Sequence, residues 1–286
     1  MTTYPKISVI TPSYNQAQFL EDTILSVLGQ EYPNLEYIVM DGGSNDGSRE
    51  IIERYADRIT YWQCQPDNGQ ADAINQGFSR ATGDILGWLN SDDMYLPGTL
   101  HHIARQFEGV NRPTIMFGNS VHIFEEHTGI FGSKVEEKHA MYDLDLVDYI
   151  IQPSSFWNRE TWKTNGPLNE EMHFGFDWAW FIEAERAGVD FRPLRRYLSI
   201  YRKHDAHKSG TGGEKREQEL LKLYETYNTP AQVAAYKKHK TQTSIRQLQR
   251  LMIKLRIGKF ANIDNLIWRM FFRGVSEREA LSIRRN

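Results

Sequence analysis

An internal disulfide is excluded at the outset, because Cys64 is the only cysteine in 286 residues and one thiol has no partner within the chain. A reducing compartment is its natural home. Two readings of Cys64 stand, a packed thiol and a nucleophile. No apolar run approaches the roughly 20 residues that cross a bilayer, and the opening MTTYPKISVI lacks the basic start and long apolar core of a secretory leader. The expected location is the cytoplasm. The glycines of Asp41–Gly47 lack the G-x-G-x-x-G spacing of a dinucleotide loop. No nucleic-acid motif accompanies the basic residues, so no nucleic acid partner is expected. The net charge of −3 conceals an asymmetry: residues 231–286 carry 13 Lys and Arg against three acids, and the preceding 230 residues carry 21 against 34. An acidic body has a basic tail, a pattern suited to anionic surfaces such as phospholipid headgroups.

What the chain does have is enough apolar residue, 40%, for a substantial core, and one stretch that organises the rest. In Asp84–Pro97, DILGWLNSDDMYLP, an apolar run fit for a strand buried on both faces meets Asn90-Ser91-Asp92-Asp93 abruptly. Such a strand delivers carboxylates to its own C-terminal edge, where open α/β sheets bind ligands. Adjacent acids repel, and a divalent cation offsets that repulsion; hard oxygen ligands favour Mg2+ or Mn2+ bridging to phosphates. The alternative is that Asp92 caps the following helix, with Asp93 in its first turn.

The chain before this stretch alternates strand and helix. Lys6–Thr11 ends at the turn formers Pro12–Asn15 and is followed by a helical pattern through Phe19, Leu20, Ile24, Val27 and Leu28. Leu35–Met40, Ile59–Gln63 and the helix Ala71–Ala81 continue the alternation, which implies a mostly parallel sheet with right-handed crossovers. Asp41 closes the second strand ahead of glycines that let backbone approach a ligand. It serves either a base or ribose, or a tight turn in which Asp41 and Asn45 satisfy local amides. Thr114–Phe124 reads as a further strand, antiparallel, and Glu125–Lys138 as a loop or hairpin. Ile150–Trp157 forms another strand, whose Phe156 and Trp157 serve either a sugar face or the core. In Phe174–Phe181 an acid, Asp177, is enclosed by Phe176, Trp178 and Trp180. Lost solvation raises its pKa and makes it a stronger base; the alternative is an N-cap on the helix running to Ala187.

The motifs ISVITPSYN, DGGSNDGS, GQADAINQG and WLNSDDMYLP, in this order, resemble glycosyltransferase family 2, an inverting family of GT-A fold. The resemblance is dense over the first 100 residues and thinner to about residue 208. It implies residues 1–212 as an α/β catalytic domain, with 1–100 the nucleotide-sugar half and 101–212 the acceptor half, and 213–286 as a helical extension. It implies transfer from a nucleotide-sugar, usually UDP-linked, to a hydroxyl of a glycan or lipid-linked acceptor. Thr11, Pro12 and Tyr14 would line the nucleoside, Asp41 would pair with the base, and Gly69, Asp72 and Asn75 would flank nucleotide and sugar. Ser91 would bind the nucleotide-sugar and Asp92 would face ribose or metal-bound water, while Asp93 and His204 would hold Mn2+ or Mg2+. His207 competes with His204, for which the alternative is a surface histidine in a basic loop. Arg202 or Lys208 would approach the diphosphate, Gln152 with Pro153 and Trp178 would line the acceptor side, and Asp177 would be the general base. Three departures stand out: Gly42 replaces a frequent second acid, so that one fewer carboxylate frames the base pocket; Asn90 replaces the first acid of D-x-D-D; and Ala179 replaces an acid two residues after the base.

Past the loop Gly210–Gly213, Glu214–Tyr227 is helical and Thr229-Pro230 breaks it. Ala231–Leu255 places Ile245, Leu248, Leu251, Met252 and Leu255 on one face, and Ile263–Phe272 adds aromatics between arginines. This basic amphipathic extension either lies on an anionic membrane, making the protein peripheral on the inner face of the cell membrane, or packs on the catalytic domain or a second copy of the chain. Capsule, O-antigen or lipopolysaccharide assembly would fit a membrane-held acceptor. Two other functions compete. A sugar nucleotidylyltransferase would need a glycine-rich triphosphate loop, which TPSYNQAQF does not supply. A non-catalytic sugar-nucleotide-binding scaffold would keep the fold without the chemistry.

Overall fold

The computed structural model describes residues 4–124, 130–204, 208, 212–241 and 274–285. His207, the apolar face from Ile245 to Leu255 and the segment Ile263–Phe272 lie outside the described residues. The chain divides into two units, Met1–Glu136 with Ile150–Glu219, and Glu137–Tyr149 with Leu220–Asn286.

The first unit is built on one sheet. Its strands are β1 (Ile7–Ser13), β2 (Leu35–Asp41), β3 (Tyr61–Cys64), β4 (Ile85–Trp88), β5 (Met94–Tyr95), β6 (Thr114–Phe124), β7 (Ile130–Gly132), β8 (Ser155–Asn158) and β9 (Asp190–Lys203). They run in the spatial order β3-β2-β1-β4-β8-β6-β9-β5, with β7 paired to β6. The half from β3 to β4 is parallel, with Ile7 opposite both Leu35 and Ile85. Parallel pairing requires helical crossovers, supplied by α1 (Ala17–Leu28), α2 (Ser48–Arg54) and α3 (Gln70–Arg80). Phe19, Leu20, Ile24, Val27 and Leu28 are the buried face of α1, as their spacing predicts. Crossover α3 lies close to the sheet because residue 77 is glycine: a Cβ there would come 2.5 Å from Ile10 Cγ2.

Beyond β4 the sheet is mixed. Strand β6 is antiparallel to β7 and β8, as expected of it, yet parallel to β9. Residues 130–132 complete the expected hairpin, while α5 (Val135–Met141) follows. Of the expected strand Ile150–Trp157, Gln152–Ser154 form a 3-10 turn instead, and β8 starts at Ser155. Phe156 and Trp157 are fully buried, so of their two readings the core prevails. Trp157 joins Phe78, Trp88, Trp162 and Trp180 in one aromatic cluster. Helices α4 (Thr99–Gln106), α6 (Arg159–Asn165) and α7 (Phe176–Arg186) cover this half.

At the end of the sheet away from the strand C-termini, buried Glu36 binds the first and second strands to the α3–β4 loop. Its carboxylate accepts from Ser8 Oγ (2.5 Å), Thr82 N (2.6 Å) and Thr82 Oγ1 (2.6 Å). Burial opposes its ionisation, but the Ser8 and Thr82 hydrogen bonds and nearby Lys6 outweigh that and hold its pKa below the ordinary value. A depressed carboxyl pKa contributes stability above the unfolded value and loses it as pH falls through the folded one. Glu36→Gln is therefore expected to cost about 1–2 kcal/mol at pH 7. In thermal melts its deficit should shrink as pH falls below about 4; a deficit independent of pH would contradict the charge argument.

In the second unit, the ring of Tyr224, on the helix Gly213–Tyr227, stacks on Tyr236 of the helix Pro230–Thr241 at 3.9 Å. Arg278, on Glu277–Arg285, holds the Asp143 carboxylate and the carbonyls of Ala140 and Tyr142. Among the described residues no helix is long and apolar enough to cross a membrane.

Candidate active site

The register of the parallel strands places the sequence motifs together. Ser13 stands opposite Asp41, Asp41 opposite Cys64, and Ile10 opposite Trp88. Pro12, Tyr14, Asp41 and the acids after Trp88 thus share the C-terminal edge of one sheet. Thr11 and Pro12 are buried, and Tyr14 is 63% exposed. Thr11 Oγ1 accepts from the Tyr37 hydroxyl beneath it.

The acid pair does not start a helix. Asp92 and Asp93 precede β5, and α4 begins at Thr99 after Gly98, which rules out the capping alternative. Thr23 Oγ1 lies within hydrogen-bond distance of the Ser91 and Asp93 carbonyls, at 2.9 and 2.7 Å, and fixes the backbone there. Ser91 is buried. Asp93 is 1% exposed; its Oδ1 accepts from Arg202 N at 3.1 Å, and its Oδ2 is buried without a hydrogen-bond partner. Burial, and then the charge of Asp92, push its pKa well above the ordinary carboxylate value. His204 Nε2 lies 3.2 Å from Asp92 Oδ2. The imidazole is buried against Phe19, with ring centroids 4.4 Å apart, which corrects the surface-histidine alternative. The Arg202 guanidinium is turned to Asp22 (3.1 Å) and over Phe19 (4.7 Å). Among the described residues no three carboxylate, imidazole or thiol groups already form a metal cage. The donors present nonetheless suit a hard cation: a buried carboxylate oxygen lacking a partner, a second acid beside it, and an imidazole on that acid.

Asp41 is engaged locally. Its carboxylate accepts from Gly43 N, Ser44 N, Ser44 Oγ and the Cys64 thiol, at 2.7–3.1 Å. Asn45 differs from the turn reading: its backbone N–H goes to Asn15 Oδ1. Burial, then the Asp41 hydrogen bond, push the Cys64 thiol up to about 11, so it is a packed donor and not a nucleophile. An acid from another part of the chain stands where Gly42 leaves one out. A Cβ at residue 42 would come 2.7 Å from Asp67 Oδ2, so the Asp67 carboxylate occupies that space from the next loop. Burial, then Asp72 and Asp41, raise its pKa.

Helix α3 and the glycine before it carry Gly69, Asp72 and Asn75. Gly69 has φ +113°, a conformation that side chains disfavour, and a Cβ there would meet nothing; its glycine serves the backbone. Asp72 accepts from Asn68 N and Gln76 Nε2. Asn75 is turned to the loop before α7: its Nδ2 donates to the Leu168 carbonyl and Glu170, and its Oδ1 accepts from Leu168 N.

Asp177 is the second residue of α7, whose N-cap position is Gly175. The capping alternative therefore fails, and its Oδ1 accepts from Trp178 N. Desolvation raises its pKa, against the opposing charges of Lys208 and Arg216. Trp178 is 2% exposed, which leaves its ring no face for a sugar in this conformation. Gln152 Nε2 donates to the Trp88 carbonyl. Burial pulls the Lys208 ammonium down to about 8, with Asp177 and Glu219 acting the other way. Glu219 also accepts from Phe174 N. Sequence reasoning passed over Asp67, Gln70 and Glu219, and a glycine in an acid's place was the only signal for the first.

A family model described as Glycosyl transferase family 2 matches residues 8–197. An uncharacterized glycosyltransferase of Nostoc sp. is 35% identical over 162 residues, covering 53% of this chain and 47% of that protein. A glycosyltransferase of Bacillus subtilis named for teichuronic acid biosynthesis is 42% identical over 94 residues, 32% of this chain and 37% of its own. The chain thus matches less than half the length of either relative. Among solved structures, S. aureus TarS 1-349 in complex with UDP-GlcNAc has a TM-score of 0.63 at 18% identity, over 80% of this chain and 70% of that one. The mannosyltransferase PcManGT from Pyrobaculum calidifontis, in complex with GDP-Man and Mn2+, has a TM-score of 0.57 at 18% identity, over 79% and 64%. Both likenesses concern the fold, an α/β GT-A sheet with a helical C-terminal portion. With the family model matched across well over half of its length, the chain belongs to glycosyltransferase family 2.

Proposed function

We propose that this glycosyltransferase inverts the sugar it transfers, taking it from a UDP-sugar to a hydroxyl of a glycan or glycolipid in surface-polysaccharide assembly. The observation that carries this reading is the presence, in one unit, of two desolvated carboxylates in different surroundings. Asp93 offers a buried oxygen without a partner beside Asp92 and His204, while Asp177 is a desolvated acid at the start of α7. The first set suits a cation and diphosphate, the second a proton acceptor. Asp93 and His204 would hold Mn2+ or Mg2+, with Asp92 beside His204. Such an ion, when bound, supplies Lewis-acid stabilisation of the departing diphosphate. Tyr14, exposed at the edge, offers its ring to the nucleoside, and Asp41 and Asp67 frame the base. Gln152 faces the acceptor side and Lys208 the diphosphate. Asp177 takes the proton of the attacking hydroxyl, and one displacement inverts the anomeric centre. The structures with UDP-GlcNAc and GDP-Man, together with the teichuronic acid relative, support the donor class and the polysaccharide setting. The basic charge of residues 231–286 supports an anionic membrane surface as the site of action.

Calorimetric titration of UDP and then GDP, each with and without Mn2+, tests this. UDP binding that requires manganese is expected. Equal UDP binding without metal would remove the cation from the reading, and binding of GDP alone would change the donor.

A further inference from the structure

Lys208, Gln70, Asn90 and Gln152 come from four separate parts of the chain and meet in a single file. Lys208 Nζ donates to Gln70 Oε1 at 3.0 Å. Gln70 Nε2 donates to Asn90 Oδ1 at 2.8 Å, and Asn90 Nδ2 to Gln152 Oε1 at 3.3 Å. Gln152 Nε2 closes the file on the Trp88 carbonyl at 2.9 Å. We propose that this file is a positioning device coupling the donor and acceptor sides of the cleft, with Gln70 and Asn90 as its positioning residues. The proposal rests on the reading above, in which Lys208 serves the diphosphate and Gln152 the acceptor.

The direction of the file is fixed at both ends, because an ammonium only donates and a backbone carbonyl only accepts. Each amide between them has one orientation that satisfies both neighbours. Turning any of them over sets two donors or two acceptors face to face, which in a partly buried network is costly. The last link is rigid: Trp88 ends β4 and is 1% exposed. Lys208 lies at the far end, over the rings of Phe174 and Phe176 at 5.7 and 5.3 Å. The file therefore refers the Lys208 ammonium, and with it the field felt by Asp177, to the central strand. It also gives a reason for Asn90. A carboxylate there accepts from Gln70 but has nothing to donate to Gln152, and it would add a third negative charge beside Asp92 and buried Asp93.

Gln70→Glu in the full chain tests the coupling. It keeps the acceptor for Lys208 and removes the donor to Asn90, so two acceptors must meet at one of the links between residue 70 and the Trp88 carbonyl unless the amides turn or part. The side-chain amide resonance of Gln152, assigned through Gln152→Ala, is expected to move, although in the structure residue 70 bonds to Asn90 and Lys208 and not to residue 152. UDP affinity should stay at the wild-type value while turnover in donor hydrolysis or transfer falls about 10-fold, as expected of lost positioning. Gln70→Met removes both links and should move the same resonance, which keeps the test valid if the glutamate variant folds poorly. An unmoved Gln152 resonance in both variants overturns the proposal, as does a loss of UDP affinity equal to the loss of turnover. If the resonance moves but wild type binds no nucleotide, the file stands and the functional reading fails.

Discussion

Asp177→Asn is expected to lower transfer about 10²–10⁴-fold, the usual contribution of a positioned proton acceptor, with UDP affinity unchanged. The amide keeps the shape of the carboxyl, and its Oδ1 keeps the Trp178 N–H bond, so α7 should start as before. Nothing is lost in stability, because it is the ionised carboxyl that desolvation disfavours here. The sign of the pH dependence follows from the same balance. Desolvation raises the Asp177 pKa while Lys208 and Arg216 oppose the rise, so the acid limb of kcat/KM should lie above the ordinary aspartate value of about 3.9. Arg216→Gln removes one of the opposing cations, and the limb should move further up. Activity of that variant then suffers more at pH 6 than at pH 8. Full transfer by Asp177→Asn would assign the proton to another group; an Arg216→Gln limb shifted downward would refute the electrostatic account.

The parallel half of the fold was legible because β1, β2 and β4 are apolar runs cut short by turn formers or acids, a pattern that few other structures produce. The long strand β9, Asp190–Lys203, was not. Its sequence, DFRPLRRYLSIYRK, carries charges and a proline because much of it is half-exposed or exposed, and its register against β6 shifts around Asn119. A strand of that kind has neither a continuous apolar run nor clean alternation. The acid pair could be found because carboxylates at the end of a buried strand need an explanation. Asp67 could not, since it fills in space a gap that Gly42 leaves in sequence. The amide file was invisible for a related reason: amides at 70, 90 and 152 have no spacing in common, and only the fold brings each within 3.3 Å of the next. Aromatic residues misled most easily. Phe156 and Trp157 read as sugar platforms or as core with equal force and Trp178 as an acceptor residue, and their burial depends on packing that no local window contains.

Asp93→Asn is expected to move activity and stability in opposite directions. In the metal-free protein the Asp93 carboxylate is unfavourable: it is buried, it adjoins Asp92, and its Oδ2 has no hydrogen-bond partner. The amide removes the charge while its Oδ1 can still accept from Arg202 N, and Thr23 continues to hold the backbone on either side. In buffer with chelator, the variant should therefore melt at or above the wild-type Tm. Activity should fall at least about 10²-fold, the scale at which loss of one electrostatic stabiliser is felt in turnover. Adding Mn2+ with UDP should raise the wild-type Tm by mass action and leave the variant where it was. A variant less stable than wild type under chelation would make the carboxylate a structural tie to Arg202. A variant that gained as much from Mn2+ and UDP as wild type would move the cation elsewhere. A carboxylate kept where it weakens the apo fold is the pattern expected of a group held for its ligand, and these melts decide whether Asp93 is one.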